Sequence, residues 1–278
     1  MKGKEKSLWM KRITDAGRSI GHQALMTIIA ILIVMAFLAV SGYQPSAVMK
    51  GLGRAFTQDL AGTIRWATPL ILAGVAVCIP FKAQVFNLGV DGQIYLGAIA
   101  ATQVALMMPE NIGGLGLIPV FIAGAAAGAL FALIPALMKV YCNTDMVVTT
   151  LLLNFVGKLF TEFMTTEVMR DPGKVTQMNA SRTLPENLWL PKIAAFGSSS
   201  ASVGFYIAVI VALVAAFLFF KTTLGYEIKL VGTNPDFARY GGMKPNLVVL
   251  KVMALSGAVA GVIGTIEVTA VQHKLIAA

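Results

Sequence analysis

"YEIKLVGTNPDFARYGGMKP", residues 226–245, is a polar island between two runs of almost wholly apolar sequence, near 202–220 and 247–268. The fold turns on whether those neighbours are core helices of a soluble protein or spans of a membrane protein. A hydrocarbon layer about 30 Å thick asks for about 20 apolar residues in a spanning helix, and both runs approach that length. Five more such runs lie near 24–41, 63–81, 86–108, 116–140 and 146–168. The 278-residue chain is 57% hydrophobic and 13% charged, with a mean hydropathy of +0.77; soluble proteins average about 25% charged. The sequence therefore reads as an all-α, polytopic transmembrane bundle of about seven spanning segments. It forms one domain over residues 1–278, embedded in the lipid bilayer of the cell membrane.

The net charge of +9 does not point to nucleic acid, because the basic residues cluster in short segments between apolar runs rather than along one face. Lys2, Lys4, Lys6, Lys11, Arg12 and Arg18 precede the first run, which predicts a cytoplasmic N-terminal segment over 1–23 under the positive-inside rule. Alternating from there, Lys82, Lys139, Lys221, Lys229, Arg239 and Lys244 also fall inside. Lys50, Arg54, Arg170, Lys174, Arg182 and Lys192 fall outside. The run from Ala24 to Val40 is longer than a signal-peptide core and no small-x-small cleavage site follows, so it reads as a first span. In the outer segment 169–201, rich in Pro, Ser and Asn, Trp189 is expected at the membrane interface.

Chemistry-bearing patterns are few. There is no G-x-x-x-x-G-K-[ST] phosphate loop, no G-x-S-x-G and no H-E-x-x-H. His22 and His273 have no second ligand at metal spacing. Cys78 and Cys142 sit in or beside apolar runs and read as small buried residues. No catalytic or metal-binding residue is assigned, and the chain reads as a non-enzyme. "GAAAG" (Gly124–Gly128) and "GAVAG" (Gly257–Gly261) are both G-x-x-x-G, the pattern that lets helix backbones approach closely. Pro69 and Pro80 mark places where backbone hydrogen bonding is interrupted, and only "FKAQ" separates the second run from the third.

"FNLGVDGQIYLGAIAA" (86–101) puts polar residues inside an apolar run. Read as helix, Asn87, Asp91 and Tyr95 are four apart and share a face. A carboxylate in a span raises a functional hypothesis by default. Asp91 and Gln93 either satisfy broken helix ends or line a passage. In "NTDMVVTTLLLNF" (143–155), Asp145 is placed to cap the next helix and Asn154 to hydrogen-bond between helices.

The island itself is locally well marked. Asn234 is an N-cap residue, Pro235 suits the first helical position, and Asp236 favours the positive end of the helix dipole. Gly241–Gly242 supply a stop. So short a helix is unstable alone, and its aromatics Phe237 and Tyr240 suggest a docking site for a cytoplasmic protein.

These motifs, in this order and at these separations, resemble the permease subunits of ATP-binding cassette importers in the branched-chain amino acid, simple sugar and nucleoside group, closest to the sugar/nucleoside branch. The resemblance covers roughly residues 60–270, and "GYEIKLVGTNPDFARYGGM" is its most specific part. It implies that 221–246 is a cytoplasmic coupling loop fitting a groove in a separate ATPase subunit. Gly225, Tyr226, Ile228, Gly232, Asn234, Pro235, Ala238, Arg239 and Gly242 would form that coupling element. ATP and Mg would be bound by the ATPase and no cofactor by this chain. An extracytoplasmic solute-binding protein would deliver solute, and a second permease subunit would frame the pathway. Asn87, Asp91, Gln93, Tyr95 and Asn154 are the candidate pathway residues. The expected function is inward translocation of a nucleoside or simple sugar by alternating access. A branched-chain amino acid permease, an ion-coupled secondary transporter and a non-transporting scaffold are the alternatives. Family members usually continue for several spans beyond the Gly/Ala-rich helix, so the chain is expected to be truncated at its C-terminus or completed separately.

Overall fold

The computed structural model describes residues 21–23, 25–57, 60–170, 180–194 and 201–276. The basic N-terminal residues from Lys2 to Arg18, and Lys174 in the outer segment, lie outside these. The chain divides into two compact units, 1–60 and 61–278.

The first unit holds α1 (Gly21–Val40) and α2 (Pro45–Thr57). Gly42, at φ +84°, reverses the chain between them, with Ser41 N donating to Phe37 O and Tyr43 N to Leu38 O. Only an αL residue closes a helix this way, and glycine takes that conformation without a Cβ clash. Pro45 then opens α2, where its missing N–H costs nothing.

The second unit is helical: α3 (Leu60–Phe81), α4 (Val90–Met107), α5 (Leu117–Cys142), α6 (Met146–Phe163), α7 (Gly204–Lys221), α8 (Thr223–Thr233), α9 (Pro235–Tyr240) and α10 (Pro245–Ile266). α6 and α10 are each extended by a π-turn, over Met164–Val168 and Glu267–Gln272. Among the described residues, six helical stretches are long and apolar enough to cross a membrane: 21–40, 60–81, 112–142, 146–168, 204–221 and 245–272. The remaining run, near 86–108, forms α4, which carries Asp91, Gln93, Thr102 and Gln103. It is the central helix, enclosed by α5, α6 and α10 along Gly92, Gln93, Gly97, Ala98, Ala101 and Ala105, which shelters Gln93 and Thr102 and leaves Asp91 exposed in its first turn.

Cross-helix contacts fix the directions. Gly124 lies against Gly261 and Gly128 against Gly257, so α5 and α10 are antiparallel and meet along both G-x-x-x-G motifs. Gly97 meets Gly261 and Ala98 meets Gly264, making α4 and α10 parallel. Ser256 Oγ donates to Ala76 O at 2.7 Å, and Arg65 pairs with Glu267 at 3.2 Å, so α3 runs against α10. One end of the bundle therefore gathers the α3–α4 corner, the α5–α6 turn and α8–α9. The other gathers 108–116, the described part of 169–203 and the end of α10.

The proline-marked break is real but local. α3 continues through Pro69 and ends at Phe81, just after Pro80. Residues 82–89 are non-helical, with Gln84 at φ +57° and the Phe81 and Phe86 rings edge to face at 5.1 Å. Cys78 and Cys142, expected as buried, are exposed and free. In a membrane protein an apolar side chain satisfies its surroundings on the lipid side as well as in the core, so hydrophobicity alone does not assign a face.

Candidate functional site

Two polar regions stand out, the α8–α9 insert and the start of α4. In the insert, α8 begins at Thr222, whose hydroxyl accepts from Gly225 N at 3.2 Å. Its buried residues Gly225, Ile228 and Val231 recur every three positions, a helical signal inside the island. A Cβ on Gly225 would collide with the Leu218 and Phe219 carbonyls, and one on Gly232 with the Lys82 carbonyl and Ala83. α8 thus lies hard against the end of α7 and against the α3–α4 corner. Lys251 Nζ reaches Glu227 from α10 at 3.4 Å.

α9 is built as its sequence specifies. Asn234 Oδ1 accepts from Phe237 N at 2.9 Å, Pro235 occupies the first turn, and Gly242 at φ +80° ends the helix, followed by Met243 N donating to Ala238 O. Ala238 is fully buried and joins Ile228 and Val231 in a core cluster with Ala136, Val248 and Val252. The two surfaces of the insert are therefore distinct. Gly225, Ile228 and Ala238 anchor it to the bundle. Tyr226, Asn234, Pro235, Arg239 and Gly242 face outward, and Gly232 is the partly buried contact with the corner. Phe237 is 60% exposed and Tyr240 92% exposed, so the largest apolar surfaces on α9 are left mostly uncovered among the described residues. Arg239 reaches Asp236 at 3.4 Å, an exposed pair worth little by itself. Between α3, α7 and α8 opens a cavity of about 720 Å³, lined by Cys78, Lys82, Phe219, Tyr226 and Lys229 among others.

The start of α4 is a closed network. Asn87 and Gln93 exchange two hydrogen bonds of 3.1 Å, Asn87 Nδ2 donates to Ser256 Oγ at 2.8 Å, and Asn87 Oδ1 accepts from Gly89 N. Both side chains are almost fully buried. Asn154 of α6 accepts from Gly92 N and donates to Leu88 O, each at 2.8 Å, while Thr150 Oγ1 accepts from Leu88 N. The broken backbone ahead of α4 is satisfied by side chains from α6, as an interrupted helix in lipid requires. Asp145 caps α6 by accepting from Val148 N at 3.0 Å. The expected common face of Asn87, Asp91 and Tyr95 does not form, because α4 starts at Val90 and Asn87 lies in the non-helical segment before it. Asp91, in the first turn of α4, is exposed and Tyr95 half-buried.

Sequence reading passed over Lys158 and Glu162 on α6. Both are exposed, and no ion pair among the described residues reaches either. Lysine or aspartate at the centre of a span costs about 2.5–3.5 kcal/mol. The signal was available as polar residues recurring at 154, 158 and 162.

At the bundle's other end, Trp189 is expected at the membrane interface. Its ring stacks on His273 at 3.8 Å, with Nε1 donating to Leu184 O at 3.1 Å. Leu184 N donates to His273 O, Leu190 N to Thr269 O and Ser181 N to Leu275 O, so the loop is stitched to the end of α10.

A family model described as the permease component of branched-chain amino acid transport systems matches residues 60–277. The chain belongs to this family. It is 32% identical to a nucleoside ABC transporter permease protein of Lactococcus lactis, over 84% of this chain and 65% of that protein. It is 32% identical to a glucose ABC transporter permease protein of Haloferax volcanii, over 89% and 69%. A guanosine ABC transporter permease protein of Bacillus subtilis is 30% identical over 87% and 71%. The chain spans about two thirds of the length of these relatives. No solved structure matches it. It is a multi-pass membrane protein of a permease family.

Proposed function

We propose that this chain is the permease subunit of an ATP-binding cassette importer that moves a nucleoside or simple sugar inward, with ATP hydrolysed by a separate subunit. The observation that carries the reading is α9: a capped helix of six residues, pinned by Ala238, that leaves Phe237 and Tyr240 largely uncovered among the described residues. A surface connection has no need of such a helix, since two large exposed aromatics are a cost without a partner. The end of the bundle that bears α8–α9 is then cytoplasmic; a cytoplasmic N-terminus is proposed separately, on the six basic residues from Lys2 to Arg18. Nucleoside and glucose permeases at 30–32% identity support the solute class.

Motion enters where the insert touches the bundle. Gly232 rests on Lys82 and Ala83, and a few residues on, Asn87 holds Gln93 of α4 and Ser256 of α10. A push on α8 is thus delivered to the α3–α4 corner and, through Asn87, to two helices at once. Alternating access would be the rocking of α4 and α10 that follows. The solute-binding protein would meet the opposite end of the bundle, and a second permease subunit would complete the passage.

The test is co-purification from native membranes with mass spectrometry of retained chains. The intact chain is expected to hold an ATPase subunit, and Phe237→Ser with Tyr240→Ser to lose it while still inserting and folding. Retention of the ATPase by the double variant would remove α9 from the interface. Absence of any ATPase with the intact chain would overturn the importer reading.

A further inference from the structure

The buried stripe of α6 (Met146, Thr150, Gly157, Thr161) faces α4, with Thr150 at Gly89 and Gly157 at Gly92 and Leu96. These contacts advance together along both helices, so α4 and α6 are parallel. α5 lies on one flank of this contact, since Phe131 and the Leu153 carbonyl both stand where a Cβ on Gly92 would go. Asn154, whose Cα also meets that Cβ, edges the α4 contact, and Lys158 and Glu162, at successive steps of four from it, run up the other flank of α6. On α4, Asp91 and Tyr95 are also spaced by four. Because parallel helices turn in the same sense, these two fall on that same flank, away from α5. One side of the α4–α6 pair is therefore a polar strip of Asp91, Tyr95, Asn154, Lys158 and Glu162.

Its depth matters. The apolar stretch 146–168 is 23 residues long, about 34 Å at about 1.5 Å per residue. Lys158 sits about 18 Å from its start, near the middle, and Glu162 about 6 Å further on. Both lie too deep for the bilayer to ignore, and no ion pair among the described residues reaches either. Lipid is thus a poor neighbour for this flank, whereas leucines and phenylalanines cover the remaining exposed face of α6, among them Leu152, Phe155 and Leu159. Ionisable residues inside a span face protein or water.

We propose that this flank is the hydrated wall of the solute passage, with Lys158 and Glu162 as its mid-membrane polar contacts and Tyr95 as a ring for the flat face of a sugar or base. Donors and acceptors of both signs, one helical turn apart, suit an uncharged, hydroxyl-rich solute better than an ion. The assignment of a passage rests on the importer reading, but the hydration of the flank can be measured without it.

The experiment is thiol labelling in native membranes made permeable to both sides. Cys78 and Cys142, both exposed, are first replaced by alanine. Single cysteines are then placed at 95, 158 and 162, and at 152 and 159 as lipid-facing controls. The probe is 2-sulfonatoethyl methanethiosulfonate, a charged reagent that reacts with thiolate in water. The expected result is labelling at 95, 158 and 162 at least about tenfold faster than at 152 and 159. Equal, slow rates at all five would mean that lipid or protein covers the flank and would overturn the proposal. Reaction at 158 and 162 with none at 95 would refute a single shared face. Absence of nucleotide-driven solute flux in the cysteine-free parent, where Tyr95, Lys158 and Glu162 are intact, would instead count against the importer reading alone.

Discussion

α10 and α6 run in the same direction along the same central helix, yet they meet it in opposite ways. Half of the most apolar window of 245–272 is buried, against 22% of that of 146–168. α10 approaches α4 and α5 through Gly257, Gly261 and Gly264, where backbone touches backbone. α6 approaches α4 through Thr150, Asn154 and Gly157, using side-chain hydrogen bonds to a broken backbone, and leaves a charged flank open. Both helices are apolar enough to span. The difference teaches that in lipid, where an apolar side chain is content on either side, small residues mark what is permanently packed and polar ones mark what must be satisfied or hydrated.

The glycine seam gives the largest expected effect. A Cβ on Gly261 would overlap the Gly124 carbonyl, and on Gly128 the Gly257 carbonyl; neither neighbour is a side chain that can swing away. Gly261→Leu must separate three helices and is expected to cost at least the upper end of the 1–3 kcal/mol usual for overpacking. The readout is loss of the folded species in detergent thermal unfolding. The same change at Gly74, where a Cβ meets nothing within 4 Å, should be tolerated. Equal loss at both would dissolve the contrast between seam and open face.

The polar junction should come next. Asn87→Ala strips a partner from Gln93 and from Ser256 in a site that water does not reach, and is expected to cost about 1–3 kcal/mol in the same unfolding assay. Asn87 is a discriminating position because its spacing and its structure assign it different roles. The spacing Asn87–Asp91–Tyr95 looked like one helical stripe, and what spoiled it was the start of α4 at Val90. That start depends on Asn154 and Thr150, more than 60 residues away, and no local pattern shows such a partner. The features that were legible are those closed within a few residues: the Asn234 cap, the Asp145 cap, the stop at Gly242, and the G-x-x-x-G pairs whose spacing fits one helix face. The burial of Ile228 and Ala238 in one cluster was not legible, because it depends on which bundle surface the insert meets.

A smaller effect is expected from the insert. Asn234→Ala removes the acceptor for Phe237 N and should cost about 1 kcal/mol, confined to α9. Hydrogen exchange at the first amides of α9 should speed by about tenfold or less, with the midpoint of global unfolding hardly moved. A large global shift would show that α9 is part of the core and not an element presented to a partner.

The smallest effect lies at the opposite end, where the loop meets the end of α10. Burial pushes the His273 imidazole below the ordinary histidine range, Lys192 adds to the depression, and a backbone hydrogen bond at Thr269 opposes it. A depressed value means that the folded stack holds the neutral ring. As pH falls below about 6.5, the unstacked state takes up the proton first, so this contact is lost progressively between there and the lower folded value. At higher pH it is fully present. Trp189 reports directly, being stacked on His273 at 3.8 Å. With Trp9 and Trp66 replaced by phenylalanine, acidification from about pH 7.5 to about pH 5 should redden and weaken its emission, with a midpoint below about 6.5. Asparagine at 273 tolerates the positive φ of 52° found there, so His273→Asn keeps the turn and removes the titration. Emission that still titrates in that variant would assign the pH response to another group and leave the loop-to-α10 contact governed by its backbone hydrogen bonds.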